Sequence, residues 1–418
     1  MMTSRRSFLA GAGAAALATT LAACSQDVPS VPTATGTSTP LPVLDSDRLT
    51  EALTRIHQGI KQADASKDAN ALAGYLTGPA ERVRQKEYAV ATAVGDDSLV
   101  HVLPDTTQAG AVGLTKDFPR TAMTITEKDP SIGVPYLYVL DQGTARDNMR
   151  MWAWIRLFAG AKVPATATAL KGSEQIDADS TGLVATPAEV LASYVDALND
   201  PNGANGKAFT DDPVRQRVAA DRAVDVTAAG SITVTASAGT DGFRGVRTTD
   251  GGAIVVTTLS FNTVYSRTVA GGTLNVAGSA ASLLGDPAVR GSVTITTDVM
   301  IAFSVPAQGS GKTASALGGD LVLAAATRDD STSVSSGSRA ASASPSRARW
   351  PLTPWEAATW RTRSSSPRSW VSSTVPWKTG RGWPDTRARA QGTAVAWRAW
   401  ATSGAASTST SPSSKRPA

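Results

Sequence analysis

From Asp45 onward, apolar positions fall first on helical and then on alternating spacings, and the chain runs through that order twice. Asp45, Ser46 and Asp47 offer helix caps, and Leu49, Leu53, Ile56 and Ile60 recur at steps of four, three and four, which is one face of a helix. Gly78 and Pro79 open a second helix in "LTGPAERVRQKEYAVA". Extended segments follow: "TAMTIT" from Thr121, then "PYLYVLDQGTARDNMRMWAWIRLF", two strands joined by the polar turn Asp141 to Asn148.

The pattern then restarts. Thr186, Pro187 and Glu189 form a capping box ahead of the apolar face Val190, Leu191, Tyr194, Val195 and Leu198, and Asp212 and Pro213 open another helix. Strands return in "SITVTAS", "FRGVRTTDGGAIVVTTLSF" with Asp250-Gly251-Gly252 as its turn, "SVTITTDVMIAFSV" and "DLVLAAAT". Leu76-Thr77-Gly78-Pro79 and Phe209-Thr210-Asp211-Asp212-Pro213 are alike, so the expected fold is α+β, a tandem pair of helix, helix, antiparallel-sheet units over residues 45–182 and 183–330. Such a unit resembles the NTF2-like, cystatin-like cone, in which helices pack into the concave side of a curved sheet.

Composition changes the picture mainly by exclusion. One cysteine and two histidines in 418 residues rule out an internal disulfide and a cysteine zinc cluster, and no metal or other cofactor is expected. The net charge of +5 hides two populations: after Asp330 thirteen Lys and Arg face two acids, while Ser25 to Asp330 stands at −8. A mildly acidic body carries no nucleic-acid footprint.

The leader explains the lone cysteine. "TSRRSFLAGAGAAALATTLAAC" has basic, apolar and small-residue zones in the order of a secretory signal, and its apolar run is too short to span a bilayer. Arg5, Arg6, Phe8 and Leu9 resemble the twin-arginine export motif, and Leu21-Ala22-Ala23-Cys24 resembles a bacterial lipobox. That resemblance implies cleavage after residue 23, lipidation of the Cys24 sulfur and a lipid anchor on the extracytoplasmic face of the cell membrane. Residues 24–44, rich in Pro, Ser and Thr, read as a tether, and twenty such residues span roughly 25 Å. Leader, tether and paired units together resemble a group of actinobacterial lipoproteins of unknown function.

Residues 331–418 do not fit this pattern. They hold eight of the ten tryptophans but only one leucine, Leu352, and no Ile, Phe, Met or Tyr, so they cannot build a core and are expected to be disordered. A basic, Trp-bearing tail would bind anionic envelope polymers or lipid headgroups. GC-rich DNA read in a wrong frame gives the same composition, and the abrupt break after "DLVLAAAT" favours that reading.

Candidate chemistry is sparse. "GSGKT", Gly309 to Thr313, lacks the first glycine of a phosphate-binding loop and precedes a strand, so it reads as a hairpin loop. His57 and His101 have no acid or serine at a readable spacing. Trp152 and Trp154 share a strand face with Arg150, Arg156 and Phe158, and the opposite face is also apolar, which makes them candidates for a ligand surface or for a contact between the units. The expected function is a membrane-anchored module that binds a small ligand or an envelope partner without catalysis. An enzyme using one cone as its active site and a polymer binder acting through the tail are the alternatives.

Overall fold

The computed structural model describes residues 40–330 except 131, 227–229 and 270–271. The export motif Arg5, Arg6, Phe8 and Leu9, the lipobox Leu21 to Cys24, most of the tether and the whole tail lie outside the described residues. The described residues fall within a single compact unit.

Helix α1 (Ser46–Ser66) starts where the Asp45 carboxylate accepts the Arg48 N–H and buries the expected stripe of Leu49, Leu53, Ile56 and Ile60. Helix α2 (Gly78–Val94) begins at Gly78, whose φ of +59° favours glycine. A side chain there would also meet the Trp152 indole at 2.8 Å. Four antiparallel strands follow as a meander: β1 (Thr107–Leu114), β2 (Arg120–Thr126), β3 (Tyr136–Gln142) and β4 (Arg150–Arg156). One short strand, β5 (Ser173–Ile176), leads into the second half.

There, α3 (Pro187–Asn199) carries the complete capping box: the Thr186 hydroxyl accepts the Glu189 N–H, and Glu189 accepts the Thr186 N–H. A short α4 (Ala204–Ala208) precedes α5 (Pro213–Arg222), then β6 (Gly230–Ala238), β7 (Arg244–Arg247) and β8 (Ala253–Arg267). A small β9 (Leu274–Asn275), α6 (Gly278–Leu284), β10 (Ala288–Val289) excursion leads to the long hairpin β11 (Ser292–Val305) and β12 (Ser315–Asp329). The "GSGKT" segment is the turn of that hairpin, with positive φ at Gly309 and Gly311.

The expectation of two NTF2-like α+β cones is overturned. A single mixed sheet runs β12-β11-β8-β7-β5-β1-β2-β3-β4, with β6 on a further stretch of β8, and it curls into a nearly closed barrel. The joint is β5, parallel to β1 at Gly113 and Leu114 and antiparallel to β7 at Val246 and Gly245, so the sheet continues across residues 182 and 183. The ends of the path meet at one point, where Leu157 pairs with Gly318 and the Phe158 N–H donates to the Leu317 carbonyl at 2.9 Å.

Side-chain alternation then sorts the core. On β8, Ile254 and Val256 face a cluster shared with Leu137, Val139, Ala153 and Ile155 from the first half. Ala253 and Val255 face the α3 side, packing with Leu191, Tyr194 and Leu198. The two arms of the sheet thus bury one apolar face against each other and give the other to separate helical layers. Strands β8, β11 and β12 overhang the barrel, and Val90 of α2 packs there with α6 and with Val293 and Leu323.

Candidate functional site at the barrel seam

Helix α2 lies where β4 and β12 diverge after their single bridge, and it continues its buried stripe with charges. Ala80, Val83, Tyr88 and Ala91 are the apolar part of that stripe, and Arg84 and Glu87, at 0% and 2% exposure, are the rest. Buried charges need partners of opposite sign and saturated hydrogen bonds. Arg84 Nη1 donates to Glu87 Oε2 at 2.8 Å and to the His101 carbonyl at 2.7 Å, and its guanidinium lies 4.9 Å from the centre of the Trp154 ring. Glu87 Oε1 faces His101 Nδ1 at 2.5 Å. Asp64 on α1 completes this side, 3.6 Å from Arg84 Nε and accepting the Tyr88 hydroxyl at 2.6 Å.

The sheet supplies a second charged pair across the seam. Arg156 on β4 stands 4.0 Å from Asp320 on β12, and both are almost fully buried. Among the described residues, Arg84 Nη2, Arg156 Nε, Trp154 Nε1 and Asp320 Oδ2 have no hydrogen-bond partner. Unpaired buried groups of this kind cost about 1–3 kcal/mol each.

The electrostatics follow from burial set against partners. Burial alone would raise Glu87, but Arg84 and His101 outweigh it and hold the carboxyl below its ordinary 4.5. Burial alone would lower His101, but the charge and hydrogen bond of Glu87 outweigh it and lift the imidazole above 6.5. Asp320 is raised, because burial exceeds the help of Arg156 and His101. Asp64 is raised for the same reason, with Arg84 and Tyr88 opposing.

Outside the seam, ion pairs tie α2 and the first sheet arm to the second half. Arg82 makes a two-pronged contact with Asp241 at 2.7 Å on each oxygen and reaches Asp298 on β11 at 3.2 Å. Arg244 on β7 holds Asp141 on β3 at 2.7 Å.

Trp152 and Trp154 are both buried on the α2 side of β4. Trp152 packs on Gly78 with the Arg244 guanidinium 5.0 Å from its ring centre, and Trp154 lies under Arg84. The opposite face of β4, Met151, Ala153, Ile155 and Leu157, meets Met300 and Ala302 of the second arm. His57 sits on α1 with its ring 5.6 Å from that of Tyr138, its basicity lowered mainly by burial, and it takes no part in the Glu87 cluster.

Sequence reasoning missed the pairing of His101 with Glu87, which are separated by fourteen residues and a turn. The signal it could have used is the charged pair at 84 and 87 on the apolar stripe of a helix.

Chemically, the pair is an imidazole oriented by a carboxylate that an arginine holds in turn. Such an arrangement binds and releases a proton, and the carboxylate favours the protonated ring. Among the described residues, no group of three or more His, Cys, Asp or Glu side chains is placed to hold a metal ion. A separate, small hollow of about 30 Å³ is lined in part by Met123, Leu137, Val246 and Ile254.

Residues 136–327, just under half of the chain and spanning both sheet arms, match the family model described as a domain of unknown function (DUF8094). No curated protein and no solved structure matches the chain.

Proposed function

We propose that the chain is a lipid-anchored, extracytoplasmic binding module for a small ligand or an envelope partner, acting without catalysis. The observation that carries the reading is the order of the first 24 residues: Arg5-Arg6, a weakly apolar run, and Leu21-Ala22-Ala23 immediately before the chain's one cysteine. Two acyl chains on Cys24, at about 0.8 kcal/mol per buried CH₂, would make the anchoring stable. Among the described residues no helix is long and apolar enough to cross a membrane.

The binding reading is favoured over catalysis because Arg84, Glu87 and His101 engage one another and Asp320 faces Arg156. The expectation of a cone-shaped active site falls with the cones themselves. The test is metabolic labelling with a palmitate analogue and membrane fractionation. The natural chain should carry label and pellet with membranes, whereas Cys24→Ala should lose the label and turn up in the soluble exported fraction. An unlabelled natural chain would overturn the reading.

A further inference from the structure

Up to its last residue, whose carbonyl accepts the Glu127 N–H at 2.9 Å, the segment that brings His101 to Glu87 is held to the rest of the fold by side chains. After a single turn of tight helix at Asp97–Leu99 the backbone is irregular from Val100 to Thr106. Arg84 donates to the His101 carbonyl, Tyr138 donates its hydroxyl to the Pro104 carbonyl at 2.7 Å, and Leu103 inserts into the core. His101 itself is about one-fifth exposed, so solvent protons reach it. Behind it stand the groups that face the seam from each packed element: Arg84 and Glu87 on α2, Asp64 on α1, Arg156 on β4 and Asp320 on β12.

We propose that the Glu87–His101 pair is a proton-operated latch, which holds the segment 97–106 against α2 and so seals the seam between β4 and β12. Three geometric facts point there: the imidazole and carboxylate face each other at 2.5 Å, the strands share one backbone bridge, and between residues 100 and 105 the segment pairs with no strand.

Signs follow from linkage. His101 is raised in the folded chain, so its contribution is complete below 6.5 and is lost as pH climbs through the higher folded value. Glu87 is lowered, so its contribution is present above 4.5 and is lost as pH falls through its lower folded value. Asp320, raised by burial, favours the folded chain only while it is protonated, and that contribution is lost as pH climbs from 3.8 through its higher folded value. The latch is therefore shut in mild acid and opens as pH climbs through the folded value of His101.

Having two histidines makes the test direct. Proton NMR titration of both rings in the whole chain, assigned with His57→Gln, should place His101 above 6.5 and His57 below it. Hydrogen exchange over 97–106, corrected for intrinsic rates, should lose protection by tenfold or more between pH 6 and pH 9, with α3 and α5 unchanged. In His101→Gln that pH response should vanish, leaving the segment as loose at pH 6 as the natural chain at pH 9. The proposal is overturned if His101 titrates at or below 6.5, if exchange in 97–106 ignores pH, or if His101→Gln keeps the response. Should that variant fail to fold, the titration and exchange of the natural chain still decide.

Discussion

α2 and α5 both open on a proline after a short polar turn, yet the charges they carry find partners in different places. Around α5 most partners are close at hand, the exception being the Thr263 hydroxyl of β8, which donates to Asp221. Asp212 caps the Val214 and Arg215 N–H groups and accepts the Tyr194 hydroxyl, Arg215 donates to the Gly206 and Phe209 carbonyls, and Arg222 donates to those of Leu198 and Val234. Around α2 the cap residue Thr77 makes no side-chain bond, and Arg82 reaches acids more than 150 residues away. Arg84 and Glu87 reach a segment with no regular structure. One layer is satisfied from within, and the other is a wedge whose charges bind the barrel together. Placing titratable groups on the wedge makes its grip depend on conditions in a way that backbone carbonyls do not.

The largest expected effect tests the wedge directly. Arg84→Met leaves Glu87 buried beside a histidine alone, and removing one partner of a buried ion pair costs about 3–5 kcal/mol. Urea unfolding should show that loss at pH 7. Adding Glu87→Leu should recover most of it, because an apolar pair of similar volume needs no counter-charge. If the double variant is as unstable as the single one, shape rather than charge holds α2, and the contrast with α5 disappears.

Next comes the seam itself. A side chain at Gly318 would run into the Arg156 carbonyl and would lie 2.9 Å from the Leu157 Cα. Gly318→Val should therefore cost about 1–3 kcal/mol by overpacking and part the only bridge between β4 and β12. Hydrogen exchange should rise in α2 and 97–106 while α3 and α5 stay protected. Uniform exchange throughout would mean the two layers unfold as one body.

Why the helices were legible and the barrel was not follows from the same residues. Capping chemistry is local, so Asp45, Thr186 and Asp212 mark their helices from neighbours two or three positions away. The strands rich in Val, Ile, Tyr and Trp announce themselves by alternation, and β12 does so only in part because Gly318 and Gly319 lie near its start. The elements that join the halves carry no such signal. β1 reads "TQAGAVGL", poor in β-branched residues, and β5 reads "SEQI", too short for a period. Without them the pattern breaks into two sheets, and cones are the natural inference. The seam was hidden for a related reason. Asp320 sits between Gly319 and Leu321 in a strand, and nothing within 150 residues of it indicates that Arg156 lies opposite.

The smallest effect belongs to the self-contained layer. The Tyr194 ring packs edge-on against Phe209 and Phe303 at 5.2 and 5.1 Å, so Tyr194→Phe keeps the packing and removes only the hydroxyl. Asp212 retains both backbone N–H donors, and the loss should be about 1 kcal/mol. Burial already raises Asp212 above its ordinary 3.8, against the pull of the Arg215 and Val214 amides and of Tyr194, so deleting the hydroxyl lifts it further. A carboxyl raised in the folded state loses stability as pH climbs through its folded value, so the deficit of the variant widens from acid toward neutral pH. Unfolding curves between pH 3 and pH 7 read that slope. A deficit as large as that of Arg84→Met would show that the α5 layer also hangs on a single buried polar contact, and the distinction between wedge and self-sufficient layer would not stand.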